Sequence, residues 1–134
     1  MPRDYMLERV QEFNRILEAI AASKKSKPAK ALELIQEAFT ATKFKDKKVF
    51  DNFSIPELEA FVNSENIDYS SADTIIDILF EEAEIKRDGS VLNELKGLLP
   101  KIEFLIAYAA QQEKAEKIFS FKRGYQRERL KTFH

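Results

Sequence analysis

Apolar residues recur at steps of three and four along almost the whole chain, the spacing that lines one face of an α-helix. Met6, Val10, Phe13, Leu17 and Ile20 form the first stripe, widened by Leu7 and Ile16, and predict a helix from about residue 2 to 22. Pro2 suits its first turn, and Asp4 complements the positive helix end. Residues 23–27 interrupt the stripe. Pro28 then opens a second helix whose inner face is Ala31, Ile35, Ala38 and Phe39 and which ends near residue 42. Residues 43–48 are mainly basic and read as a loop pinned by Phe44, with Phe50 and Phe53 just beyond.

Ser54 and Glu57 have the spacing of a capping box, in which each side chain bonds a backbone N–H of the other residue. The short helix they open runs to about residue 63 and buries Leu58, Phe61 and Val62. A fourth helix, capped by Ser70 or Ser71, carries Ile75, Ile76, Leu79, Phe80 and Ala83 and closes on Gly89 as a left-handed cap. A fifth starts by Ser90 with Leu95, Leu98 and Leu99. Pro100 predicts a kink or break, and Ile102, Leu105 and Ala109 carry the stripe on to Ile118. Gly124 weakens residues 120–134, which read as a short terminal helix or an extended tail. The fold expected is all-α: five to six helices in antiparallel pairs, as a short α-solenoid or an irregular bundle. A chain of 134 residues implies one domain, over 1–118, followed by a basic and aromatic tail, 119–134.

Composition narrows the chemistry. There is no Cys, so disulfides, thiolate nucleophiles and Cys-ligated metals are excluded. The single His is His134, which leaves no interior imidazole for a catalytic triad or a His-rich zinc site. Three Gly and four Pro supply too few tight turns for a β-sandwich or barrel. The N-terminal residues lack an apolar signal core, and no apolar run approaches the ~20 residues of a membrane span. A cytoplasmic protein without a membrane role is the expectation.

Charge adds a pattern that the net value of −1 conceals. Residues 1–50 hold 11 Lys/Arg against 7 Asp/Glu, residues 51–94 hold 2 against 12, and residues 95–134 hold 9 against 4. An acidic middle lies between two basic ends, which either fold back to neutralise it or leave it solvated. Asp73, Asp77, Glu81 and Glu84 form an acidic stripe on the fourth helix. A hard cation or a carboxylate pair would suit it, but a solvated face, or one that meets the basic ends, is the stronger expectation. The tail interleaves bases and rings, and its candidate contact residues are Phe119, Phe121, Lys122, Arg123, Tyr125, Arg127 and Arg129. Such a set can bind phosphates and stack on bases. The alternative, favoured by the acidic body, is a tail that packs its Phe residues and exposes its bases. Lys24, Lys25, Lys27 and Lys30 read as a solvated loop without the glycines of a phosphate loop. Tyr5, Tyr69 and Tyr108 read as packing residues.

Ala31, Ile35 and Ala38, with Ala19 before them, sit at the small-residue spacing of a tetratricopeptide repeat, and Leu79, Ala83, Leu95, Leu99 and Ile102 allow a second copy. The chain therefore resembles two degenerate tetratricopeptide units separated by an insert at 43–70. It departs from that pattern in the larger Leu95 and Ile102 and in lacking the signature aromatics. Asp4-Tyr5-Met6-Leu7 and Ser120-Phe121-Lys122-Arg123 also give it the look of a group of small uncharacterised bacterial helical proteins. That resemblance implies a helical fold and brings no activity, cofactor or metal with it. The function expected is a noncatalytic protein–protein interaction module with an unknown protein partner, self-association into a homo-oligomer being one form. Nucleic-acid binding through the tail is the alternative.

Overall fold

A computed structural model of the chain describes residues 2–134, and side chains from residue 11 onward. The expected contributions of Asp4, Tyr5, Met6, Leu7 and Val10 lie outside the described side chains. All regular structure among the described residues is helical. Seven helices are present where five to six were expected: α1 (Pro2–Ser23), α2 (Pro28–Thr40), α3 (Lys47–Asn52), α4 (Ile55–Ser64), α5 (Tyr69–Asp88), α6 (Leu92–Ala115) and α7 (Lys122–Lys131). Two hairpins organise them. α1 turns into α2 through residues 24–27, and α5 turns into α6 through residues 89–91; these pairs make the two most extensive helix contacts. α1 and α2 both rest on α5, so the hairpins share one apolar core that includes Ile20, Ile35, Phe39, Ile76, Leu79, Ile102 and Leu105.

The segment read as a loop at 43–48 contains the start of α3. Asp46 is its N-cap, accepting from the Lys48 N–H at 2.8 Å. The helix turns Phe50 inward, where it meets Phe39 at 5.4 Å and Phe44 edge-to-face at 5.2 Å between ring centroids. Phe44 also stacks on Phe61 at 4.6 Å, and Phe61 touches Phe53. This chain of rings binds α2, α3 and α4 into one layer. The capping box forms as predicted, with Ser54 accepting from the Glu57 N–H and Glu57 from the Ser54 N–H.

Three expectations about helix ends are corrected. Asp68, rather than Ser70 or Ser71, caps α5: its carboxylate accepts from the Ser71 N–H at 2.7 Å, which places both serines inside the first turn. Gly89 has φ −85°, and the left-handed residue is Ser90, at φ 58°. The Val91 N–H reaches back to the Lys86 carbonyl at 2.8 Å, and that bond selects the residue before Val91 for the reversal. The same device ends α4 at Asn66 and α6 at Lys117, each with φ between 51° and 57°. Finally, α6 is not broken at Pro100. Leu98, Leu99, Ile102 and Leu105 are buried on both sides of the proline while the residue itself is exposed, so the face packed against α5 runs through it.

α4 is tied to α6 by a buried phenol. Tyr108 donates to the carbonyls of Val62 and Ile67, and its oxygen accepts from Gln112 at 2.7 Å. Burial, and beyond it the charge of Asp68, raises the phenol above its ordinary pKa, so it stays a donor. Tyr108→Phe leaves the two carbonyls short of a donor and is expected to cost about 1–2 kcal/mol in urea unfolding, with no loss of helix content by circular dichroism.

Candidate interaction surface

The charge pattern of the sequence becomes geometry along α5. Asp73, Glu81 and Glu82 are buried carboxylates on this helix, and each is met by a cation from another part of the chain. Arg123 of α7 lies between Asp73 of α5, at 2.6 Å, and Glu113 of α6, at 2.8 Å. Gln126, one turn on, donates to Asp73 at 2.8 Å. Burial alone lowers the guanidinium, but the hydrogen bonds it donates to Glu113 and Asp73 outweigh this and hold Arg123 above its ordinary value. Lys24, at the turn after α1, reaches Glu81 at 2.7 Å and Glu84 at 2.9 Å. Arg129 of α7 bonds Glu84 as well. The basic ends therefore fold back onto the acidic middle, and the acidic stripe is engaged in neutralisation. Asp77 differs: it lies half-buried beside Phe13, Leu17 and Thr74, and burial raises its carboxyl, with Lys122 and Arg129 opposing.

A second ionic cluster fastens α3. Buried Lys47 lies 2.9 Å from Glu82 and also bonds Asp51. Lys101 donates to the Phe50 and Asp51 carbonyls at 3.0 and 2.7 Å, and so satisfies the open C-terminal end of α3. Burial lowers its pKa, partly offset by Asp51. Lys101, Glu82, Lys86, Asp51 and Glu94 line a cleft of about 240 Å³ beside Gly97. Two lysines and three carboxylates line it, and the bonds of Lys101, Lys86, Glu82 and Asp51 serve the joint between α3, α5 and α6.

The tail residues divide into two sets. Arg123 and Arg129 are occupied by carboxylates and belong to the architecture. Lys122 is exposed, at 3.8 Å from Asp73. Phe119, Phe121 and Tyr125 are 82, 73 and 74% exposed, and Arg127 is exposed on another side of α7, two residues beyond Tyr125. The expectation that the tail packs its Phe residues and frees its bases therefore holds in part: Lys122 and Arg127 are exposed, but Arg123 and Arg129 are paired and Phe119 and Phe121 do not pack on the core. Phe133 packs, stacked on Phe80 at 6.2 Å under the Arg87 guanidinium. Phe119 and Phe121 meet each other edge-to-face at 5.1 Å and face outward.

This exposure belongs to an anchored element. α7 buries Arg123, Gln126 and Leu130 at helical spacing and turns Tyr125 away. The entry to the corner is set by Lys117, left-handed at φ 57°, with the Ile118 N–H bonded to the Glu113 carbonyl at 2.8 Å. Ile118, Phe119, Phe121 and Tyr125 thus form an apolar corner between α6 and α7, with the exposed Lys117 and Lys122 next to them in the chain. Ile118 was read in the sequence only as the end of an apolar stripe. Among the described residues no group of three or more His, Cys, Asp or Glu is placed to hold a metal, and no helix is long and apolar enough to cross a membrane. No protein-family model, curated protein or solved structure matches the chain.

Removing one member of a buried charge set strands the others. Arg123→Ala is expected to destabilise by about 3–5 kcal/mol in chemical denaturation. Glu84 gives a pH signature. Burial raises its carboxyl, but hydrogen bonds from Arg129 and Lys24 outweigh this and hold it below the ordinary value. A carboxyl depressed by folding adds stability above its unfolded pKa and loses it as pH falls through the folded one. Glu84→Gln is therefore expected to be less stable than the parent at pH 7, with the difference shrinking as pH falls below the ordinary carboxyl range, measured by urea midpoints.

Proposed function

We propose that this protein is a noncatalytic protein–protein interaction module built on stacked helical pairs of tetratricopeptide-like arrangement, and that its binding surface is the α6–α7 corner. The observation that carries this reading is the exposure of Phe119, Phe121 and Tyr125 on an anchored segment. Aromatic side chains lose little conformational freedom on docking and dominate binding energy where they fill a partner's pocket. Apolar surface held in water by a fixed backbone has a cost that a partner removes. The carboxylates and buried lysines support the same reading, because their hydrogen bonds are spent inside the fold.

A second reading, single-stranded nucleic acid, is favoured by the exposed Lys117 and Lys122 next to the rings. It is weakened by the loss of Arg123 and Arg129 to internal ion pairs. Affinity capture with the full chain and with Phe119→Ala/Phe121→Ala/Tyr125→Ala separates the two. The triple variant is expected to keep the parent's melting temperature within a few degrees, since exposed side chains contribute little to stability. It is also expected to lose the partner, which resists nuclease. Capture unchanged by the substitutions counts against the corner, and capture abolished by nuclease favours nucleic acid.

A further inference from the structure

The end of the bundle that carries the aromatic corner also carries an acidic turn. Tyr108, in the C-terminal half of α6 and itself bonded by Gln112, holds the carbonyls of Val62 and Ile67, which places the turn between α4 and α5 at this end. Glu65 and Asp68 in that turn are exposed. Asp73, one turn into α5, is bonded to Arg123 and lies 3.8 Å from Lys122, which places the start of α7 there too. No Lys or Arg occurs between residues 49 and 85, and the one cation at the turn is Lys43, which donates to the Glu65 carbonyl at 2.6 Å, so Glu65 and Asp68 leave the turn net acidic. One end of the molecule therefore presents an apolar centre of Ile118, Phe119, Phe121 and Tyr125, with Lys117 and Lys122 as basic rim and Glu65 and Asp68 as acidic neighbours.

We propose that the occupant of this surface is a second copy of the same chain, docked about a two-fold axis, with aromatic corner on aromatic corner and the basic rim of each copy facing the acidic turn of the other. The proposal rests on the reading of the corner as a protein-binding surface and names its partner. A two-fold interface brings one patch against itself, so a patch of single sign repels its copy and a patch with both signs around an apolar centre attracts it. The turn also works against polyanions, because Glu65 and Asp68 outnumber Lys43 there and repel the phosphates that Lys117 and Lys122 would bind. Ring pairs formed across the axis take edge-to-face or offset geometries, as Phe119 and Phe121 already do within one chain. Three rings at roughly 150–250 Å² each supply most of the ~800 Å² per partner of a standard interface, and the two rims supply the remainder. The affinity expected is micromolar.

Sedimentation equilibrium of the full chain from about 1 to 300 µM tests the proposal, a range that brackets a micromolar constant. The mass is expected to rise from 15.6 kDa and level off at twice that value, since a two-fold contact closes. Phe119→Ser/Phe121→Ser is expected to remain at the single-chain mass with an unchanged melting curve. Lys117→Glu/Lys122→Glu and Glu65→Lys are each expected to weaken the dimer by about tenfold or more, and an equimolar mixture of the two to regain it as a heterodimer, because each then supplies the sign the other lacks. A parent that stays at 15.6 kDa throughout overturns the proposal. So does a mass that climbs past two copies, a charge-variant mixture with no gain, or saturable micromolar binding of a single-stranded oligonucleotide at the corner. A monomeric parent whose captured partner still depends on the three rings sinks the second copy alone. Loss of both results sinks the corner as a binding surface.

Discussion

The fold depends on neutralising the carboxylates of α5. A helix that carries Asp73, Glu81 and Glu82 into the interior is tolerable only if cations arrive there with good geometry. Their sources are far apart in the chain: Lys24 after α1, Lys47 in α3, Arg123 and Arg129 in α7. Apolar burial brings the helices together without fixing their order or rotation. The ion pairs add direction, since each links one particular cation to one or two particular carboxylates. α7 is the clearest case. Its apolar contribution is little more than Leu130 and Phe133, and the Arg123 set determines which face lies down.

The same anchoring explains why the binding surface is where it is. Arg123 and Gln126 pull one side of α7 onto α5 and α6, so Tyr125 on the other side has nowhere to go but outward. Phe119 and Phe121 lie in the short link between a left-handed Lys117 and the first turn of α7, too short a path to fold either ring back onto the core. Stability and recognition are thus divided within one short segment: Arg123, Gln126 and Leu130 are turned inward, while Phe119, Phe121 and Tyr125 face outward. A buried arginine beside exposed rings gives the corner its character.

The helical class and most of the apolar core were legible in the sequence, because stripes such as Ile75, Ile76, Leu79, Phe80 and Ala83 repeat over several turns. The capping box was legible for the same reason: its signal is local and chemical. α3 was hidden, since six residues are too few to establish a period. The cap at Asp68 lost to two serines that satisfy the same propensity, and the reversal at Ser90 lost to a neighbouring glycine. Pro100 was read from its local cost alone, while the long contact between α5 and α6 outweighs it. The opposite charges of middle and ends were visible, but pairing Arg123 with Asp73, fifty residues away, requires the fold. The outward rings were the least legible part, because aromatic residues next to a helix end ordinarily join the core.

One feature of chain order has a consequence for how the molecule comes into being. Asp73, Glu84 and Glu113 all precede α7, which carries the arginines that meet them. A chain emerging from the ribosome therefore leaves Asp73 and Glu113 without their cation, and Glu84 with Lys24 alone, until α7 is made. α7 closes over them in the manner of a latch, and a product cut short before it is left both acidic and unlatched. Quality control in the cell would need no knowledge of this protein's role to tell a finished molecule from an unfinished one.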